Sequence, residues 1–254
     1  MSLTIQYASD LHLEFSANRH YMEANPLLPV GEVLILGGDI MPFAIMTKFA
    51  HFFDYVSEHF SATYWLPGNH EYYGVDAQRM SGSVNKQIKD NVFLVSNTTA
   101  QYKDLHLVFS TLWSSISAAN EEQIAEQLND FSMIQYNGSP LTVDRYNQMH
   151  QNDLDFITKA LQEAPTNKSL VCTHHAPTLT HYPNRFRGNP LSEVCATELQ
   201  DFIEGAAPNG WLYGHDHTNA QDFFIGNTLL STNQLGYVQQ QQHDRFSAGK
   251  CITL

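Results

Sequence analysis

Five short apolar runs in this 254-residue chain each end on side chains that bind metals or carry protons. "YASDLHLEF" (7–15) delivers Asp10 and His12, with Glu14 just behind, and "LILGGD" ends in Asp39. "WLPGNHE" supplies Asn69, His70 and Glu71; "LVCTHH" supplies His174 and His175; "WLYGHDH" supplies His215 and His217. Runs this short, rich in β-branched and aromatic residues, predict buried strands. In open α/β sheets, ligands gather outside the carboxyl ends of the strands, so five such ends predict one convergent site. The glycines just before the polar residues (Gly37, Gly38, Gly68, Gly214) allow a tight turn and a close approach to a bound group.

The remaining pattern predicts one α/β domain over residues 1–254, with βαβ character in its first half and a β-rich end. Strands are expected at 3–9, 32–38, 62–68, 91–96, 105–111, 168–175 and 210–217. Apolar spacing predicts helices at 43–60, 75–89, 119–130, 143–163 and 192–204. The tail, "DFFIGNTLLSTN" and "KCITL", reads as β-hairpin material with Gly226 and Asn227 in the turn. The polar stretches 131–140 and 178–192 are candidate loops over a site.

Twenty-six acidic residues against 13 Lys and Arg give a formal net charge of −13, which opposes tight binding to extended nucleic acid. A small anionic ligand is still allowed, because bound cations reverse the local field. No apolar run of about 18 residues predicts a membrane span, and no basic-then-apolar leader opens the chain. Cys172, Cys195 and Cys251 form no CxxC pair and read as reduced thiols. Together these features favour a cytoplasmic protein.

The ordered series DxH, GD, GNHE, HH, GHxH, spanning residues 10–217, resembles the calcineurin-like metallophosphoesterase superfamily. The resemblance implies a two-sheet β-sandwich flanked by α-helices, in four layers, holding two divalent ions. Carried over by position, it makes Asp10, His12 and His217 ligands of the first ion and Asp39 the bridge between both. Asn69, His215 and one of His174 or His175 would hold the second ion. His174 is taken, because it follows the strand directly, as in relatives with a single histidine there; His175 would then face substrate. His70 matches the family's non-ligand histidine, which steadies the transferring phosphoryl group or protonates the leaving oxygen.

A donor set of carboxylate, amide and imidazole, without thiolate, suits Mn, Fe, Co, Ni or Zn. Two such ions imply hydrolysis of a phosphate ester by a metal-bridging hydroxide, with no covalent phosphoenzyme. "HYPNRFRGNP" adds Arg185 and Arg187, whose guanidinium groups match phosphate geometry. Glu71 is either an acceptor for a ligand imidazole or a cap on the next turn; Glu14 is a solvated acid or an outer partner of a ligand. Relatives that act on phosphoproteins carry Asp-Arg-Gly after the second motif and Arg before GNHE. This chain has "GGDIMPF" and "LPGNHE" instead, and it lacks the basic surface of a nuclease. The expected substrate is therefore a small phosphomonoester or phosphodiester, nucleotide-like esters included. The alternative is a non-catalytic scaffold of the same fold that binds a protein partner.

Overall fold

In the computed structural model, which describes residues 3–80, 82–166, 168–182 and 188–253, two six-stranded sheets pack face to face. The first runs β14 (Cys251–Thr253), β1 (Thr4–Ala8), β2 (Val33–Gly37), β3 (Ala62–Leu66), β5 (Val92–Ser96), β4 (Val84–Lys89). The second runs β12 (Phe223–Ile225), β13 (Thr228–Thr232), β11 (Gly210–Tyr213), β10 (Ser169–Thr173), β7 (Leu105–Ser110), β6 (Thr98–Tyr102). Each sheet has four parallel strands with an antiparallel strand on either edge.

The strands are apolar almost throughout because both of their faces are covered. Val33 and Ile35 of β2 point into the sandwich, against Leu107, Phe109, Leu170 and Leu212 of the second sheet. Leu34 and Leu36 point outward, with Trp65, toward Met22 of α1 (Ser16–Ala24) and Phe53 and Val56 of α2 (Ala50–His59). On the far side, Val108, Val171 and Trp211 meet Ile157 and Ala160 of α5 (Val143–Gln162) and Ile203 of α7 (Gln200–Ala206). The result is the expected four-layer sandwich. The long helix forms where expected: its buried residues Val143, Tyr146, His150, Asp153, Ile157 and Ala160 recur every three or four positions, and Thr142 caps its start.

The two sheets are stitched together below the strand ends. The segment after β13 crosses to β1, pairing Ser9 with Gln234. The Ser9 and Gly236 amides donate to Asn233 and Asp10 carbonyls at 3.0 Å, and the Leu235 amide donates to Ser9 at 3.1 Å.

Several expected elements differ. The helix expected at 75–89 is a 3₁₀ turn, Ala77–Met80, followed by strand β4. Gly82 adopts φ +81°, which ends any helix, and β5 offers an open edge that β4 completes while Val84 and Ile88 join the core under α2. The first part of 43–60 is 3₁₀ (Phe43–Phe49) and only then α-helical. The stretch 119–130 is split into α3 (Glu121–Gln127) and α4 (Asp130–Met133), and 192–204 into α6 (Ser192–Cys195) and α7. Helix α1 and strand β6 were not anticipated. The Gly226–Asn227 hairpin forms, but "KCITL" leaves it and pairs with β1. The stretch 131–140 is a packed cap, not an open loop: α4 and the ribbon β8 (Gln135–Tyr136) and β9 (Ser139–Pro140) bury Phe131, Ile134 and Leu141 beside Tyr146. No helix among the described residues is long and apolar enough to cross a membrane.

Candidate metal centre

The loops after β1, β2, β3, β10 and β11 meet at one end of the sandwich. Asp10, His12, Asp39, His215 and His217 all have positive φ, between 45° and 79°. A left-handed residue costs roughly 1–2 kcal/mol unless its surroundings enforce it. These left-handed residues follow β1, β2 and β11, whereas Asn69 after β3 keeps an ordinary φ of −72°. Gly68 sits so close to the centre that a Cβ there would collide with Asp39 Oδ1 and His174.

Three groups of ligand-type atoms result: Asp10–His12–Asp39–His217 and Asp39–His174–His215, which share Asp39, and His12–Glu14–His70 beside them. Asp39 Oδ2 lies 3.7 Å from His12 Nε2 and Oδ1 lies 3.5 Å from His174 Nε2. Asp10 Oδ1 is 3.4 Å from His217 Nε2, and Asn69 Oδ1 is 3.3 Å from His174 Nε2. Asp10, His12, Asp39, Asn69 and His174 are buried.

The outer nitrogens of the four histidines decide what the inner ones can do. His12 Nδ1 donates to Glu14 Oε1 at 2.9 Å, and His217 Nδ1 donates to Gln242 Oε1 at 2.7 Å. His174 Nδ1 donates to the Gly37 carbonyl at 2.9 Å, and His215 Nε2 donates to the Val194 carbonyl at 3.0 Å. Each partner can only accept, so each outer nitrogen carries the proton, and in a neutral ring the inner nitrogen holds a lone pair. Those inner nitrogens face each other, His12 Nε2 to His217 Nε2 at 3.0 Å and His174 Nε2 to His215 Nδ1 at 3.1 Å. Four converging lone pairs and two carboxylates repel unless a cation lies among them, which is the donor chemistry of a transition-metal site.

Protons respond to the same field. Burial alone would raise the Asp39 carboxyl, but the His174, His70 and His12 rings hold it well below the ordinary carboxylate range. Burial opposes protonation of His174, yet Asp39 and Asp10 lift it to about 10. Burial and the neighbouring His174 hold His215 well below its ordinary value. Without metal, a proton on His174 does part of a cation's work, and a cation bound there would displace it.

His70 stands beside this cluster. Its Nδ1 donates to Glu14 Oε1 at 3.0 Å, its Nε2 faces the Tyr237 hydroxyl at 3.5 Å, and its ring stacks on Tyr73 with centroids 4.3 Å apart. Burial opposes its charge, but Asp39 and Glu14 raise it to about 9. Asp130 of α4 accepts from Asn69 Nδ2 at 2.9 Å and from the Tyr73 hydroxyl at 2.7 Å, which turns the Asn69 carbonyl oxygen toward His174.

His175 is placed behind the cluster, not at its mouth. It is 1% exposed, its Nδ1 donates to the Thr111 carbonyl at 3.3 Å, and its ring packs on His215 at 4.1 Å. Arg185 and Arg187 lie outside the described residues. Glu71 bonds no imidazole among the described residues: its carboxylate accepts N–H bonds from Asp39, Ile40, Met41, Gly68 and the Trp65 indole. Tyr237, Gln242, Asp130 and the Val194 carbonyl were not anticipated, since no spacing links them to the five motifs; a DxHxE pattern does mark Glu14.

The sequence model of the calcineurin-like phosphoesterase family matches residues 3–219. The chain belongs to that family. This phosphoesterase is 26% identical over 269 residues to an uncharacterized protein of Acanthamoeba polyphaga mimivirus, covering 94% of this chain and 93% of the viral one. Its fold matches the crystal structure of the phosphopantetheinyl hydrolase of Mycobacterium tuberculosis, with a TM-score of 0.72 and 15% identity over 100% of this chain and 96% of that one. Family and fold support metal-dependent phosphoester hydrolysis in general terms.

Proposed function

We propose that this phosphoesterase holds two divalent transition-metal ions and hydrolyses a small phosphate monoester or diester. The observation that carries the reading is the set of four histidines whose outer nitrogens are tied to acceptors while their inner nitrogens converge on Asp10 and Asp39. Asp10, His12 and His217 would hold one ion, Asn69, His174 and His215 the other, and Asp39 would serve both. Bound there, the ions would supply Lewis-acid activation of water and neutralise phosphate charge.

The chain's own residues do the rest. His70, held through Nδ1 by Glu14, turns Nε2 away from that carboxylate and, in its charged form, steadies the phosphoryl group or gives a proton to the leaving oxygen. Tyr73 and Tyr237 flank that imidazole. His175 backs His215. The net charge of −13 favours a small substrate that meets the cations directly over an extended nucleic acid. All 254 residues serve as one domain, and the free thiols suit a reducing compartment.

Calorimetric titration of chelator-treated protein with Mn²⁺, Zn²⁺ or Ni²⁺ should give two ions per chain. The loaded protein should hydrolyse p-nitrophenyl phosphate or its bis ester, and the faster of the two separates monoesterase from diesterase. A His70→Ala variant should keep both ions and lose roughly 10²–10⁴-fold in turnover. Failure to bind transition ions ends the proposal. Binding without hydrolysis of either ester would favour a metal-holding scaffold.

A further inference from the structure

The geometry points to Glu14 as a positioning residue that ties a metal ligand and the phosphoryl-facing histidine to one oxygen atom. Glu14 Oε1 lies 2.9 Å from His12 Nδ1 and 3.0 Å from His70 Nδ1. Both rings are donors there, because a carboxylate oxygen can only accept. Both therefore turn Nε2 the other way, His12 toward Asp39 and His217 and His70 toward the Tyr237 hydroxyl. The two rings stand edge to face with centroids 4.5 Å apart, so they pack directly on one another.

The carboxylate is itself held. Arg19 of α1 donates through one nitrogen to the Leu13 and Glu14 carbonyls, each at 2.9 Å, which clamps the backbone that carries it. The other carboxylate oxygen, Oε2, is buried with no hydrogen-bond partner among the described residues. Thus one oxygen does the positioning, and the reach of a glutamate side chain sets where it lies. The family motif assigns His12 and His70 separate tasks; this shared acceptor links them. A disturbance at the His12 ion would shift His70, and the reverse.

The inference rests on the proposed metal and phosphoryl roles of His12 and His70, so its test includes measurements that need no turnover. Four variants are compared as full-length chains: Glu14→Gln, Glu14→Asp, Glu14→Ala, and Glu14→Ala combined with His70→Ala. Glutamine keeps an oxygen at the same reach, whereas aspartate keeps the charge and withdraws the oxygen. Mn²⁺ calorimetry should show about a 10–100-fold loss of affinity at one site in Glu14→Ala and Glu14→Asp, and a smaller loss in Glu14→Gln. Nitrogen-15 shifts of the Zn²⁺-loaded protein, read at a pH where the His70 ring is neutral, should show it protonated at Nδ1 in the parent and in Glu14→Gln. Glu14→Ala should show mixed tautomers. Under saturating Mn²⁺, Glu14→Ala should lower kcat more for phenyl phosphate than for p-nitrophenyl phosphate. It should lower kcat no further once His70 is alanine.

Aspartate matching the parent while glutamine fails would make the role one of charge and overturn the inference. So would an additive loss of kcat in the double variant, unchanged Mn²⁺ affinity, or an unchanged His70 tautomer in Glu14→Ala. A parent that binds Mn²⁺ yet hydrolyses neither ester would remove the hydrolase reading alone; affinity and tautomer would still decide the role of Glu14.

Discussion

Replacing Glu71 by glutamine should be far more damaging than the near-identity of the two side chains implies. Glu71 is fully buried, and its Oε2 accepts the Asp39 and Gly68 amides at 2.8 and 2.7 Å. Its Oε1 accepts the Ile40 and Met41 amides at 2.7 and 3.4 Å and the Trp65 indole at 3.1 Å. All five partners are donors, so a glutamine must point its own NH₂ at N–H groups whichever way it turns. The milder orientation leaves the Asp39 and Gly68 amides unsatisfied. A buried donor without a partner costs about 1–3 kcal/mol, so the variant should lose roughly 2–6 kcal/mol. For a chain of this size that is a fall in Tm of roughly 5–20 °C. Burial and the Asp39 carboxylate push the Glu71 carboxyl up to about 8, which offsets part of this loss near neutral pH. The second consequence is local: the Asp39 amide bond to Oε2 helps hold Asp39 at φ +52°, so Mn²⁺ affinity should fall as well. Calorimetric melting of chelated parent and Glu71→Gln, followed by Mn²⁺ titration of each, checks both. A variant melting within about 2 °C of the parent would refute this account of how the β2 and β3 turns are held.

Further outcomes follow from the same geometry. Mn²⁺ at about 100 times its dissociation constant should stabilise the protein by about 2.7 kcal/mol per site, read as a rise in Tm of roughly 5–10 °C over chelated protein for one site. Gly68→Ala should abolish transition-metal binding, because its methyl group would strike Asp39 and His174; equilibrium dialysis measures it. Asp153 is buried, and burial pushes its carboxyl up to about 6 against the Asn97 and Trp113 donors. The folded chain therefore holds that proton at pH values where the unfolded chain has released it. Stability from this group is highest below about pH 4, falls by about 3 kcal/mol as pH rises to about 6, and is then flat. Asp153→Asn should remove that slope from the difference between parent and variant urea-unfolding profiles.

Much of this protein was legible in its residues alone. Short, almost continuous apolar runs name the strands, and the Asp, Asn and His that close them name the end of the sheet where chemistry gathers. That much is local, because strand periodicity and turn chemistry act over a few neighbouring residues. Residues 75–89 resisted the same approach: their helical spacing lost to a hairpin with β5, an edge that exists only because β5 is seated in the sheet beside β3. The adjacent His174 and His175 are alike as sequence, and packing alone turns one toward Asp39 and the other against Thr111. Only the tertiary structure could make Glu14 a shared acceptor, Glu71 a five-fold acceptor, and Tyr237 and Gln242 neighbours of a centre whose last motif lies 20 residues before Tyr237. The sequence determined which donor atoms stand at which strand ends. Which nitrogen of each ring faces inward was decided by acceptors such as the Gly37 and Val194 carbonyls, brought there by sheets and loops far apart in the chain, because a tautomer depends on contacts and not on residue type.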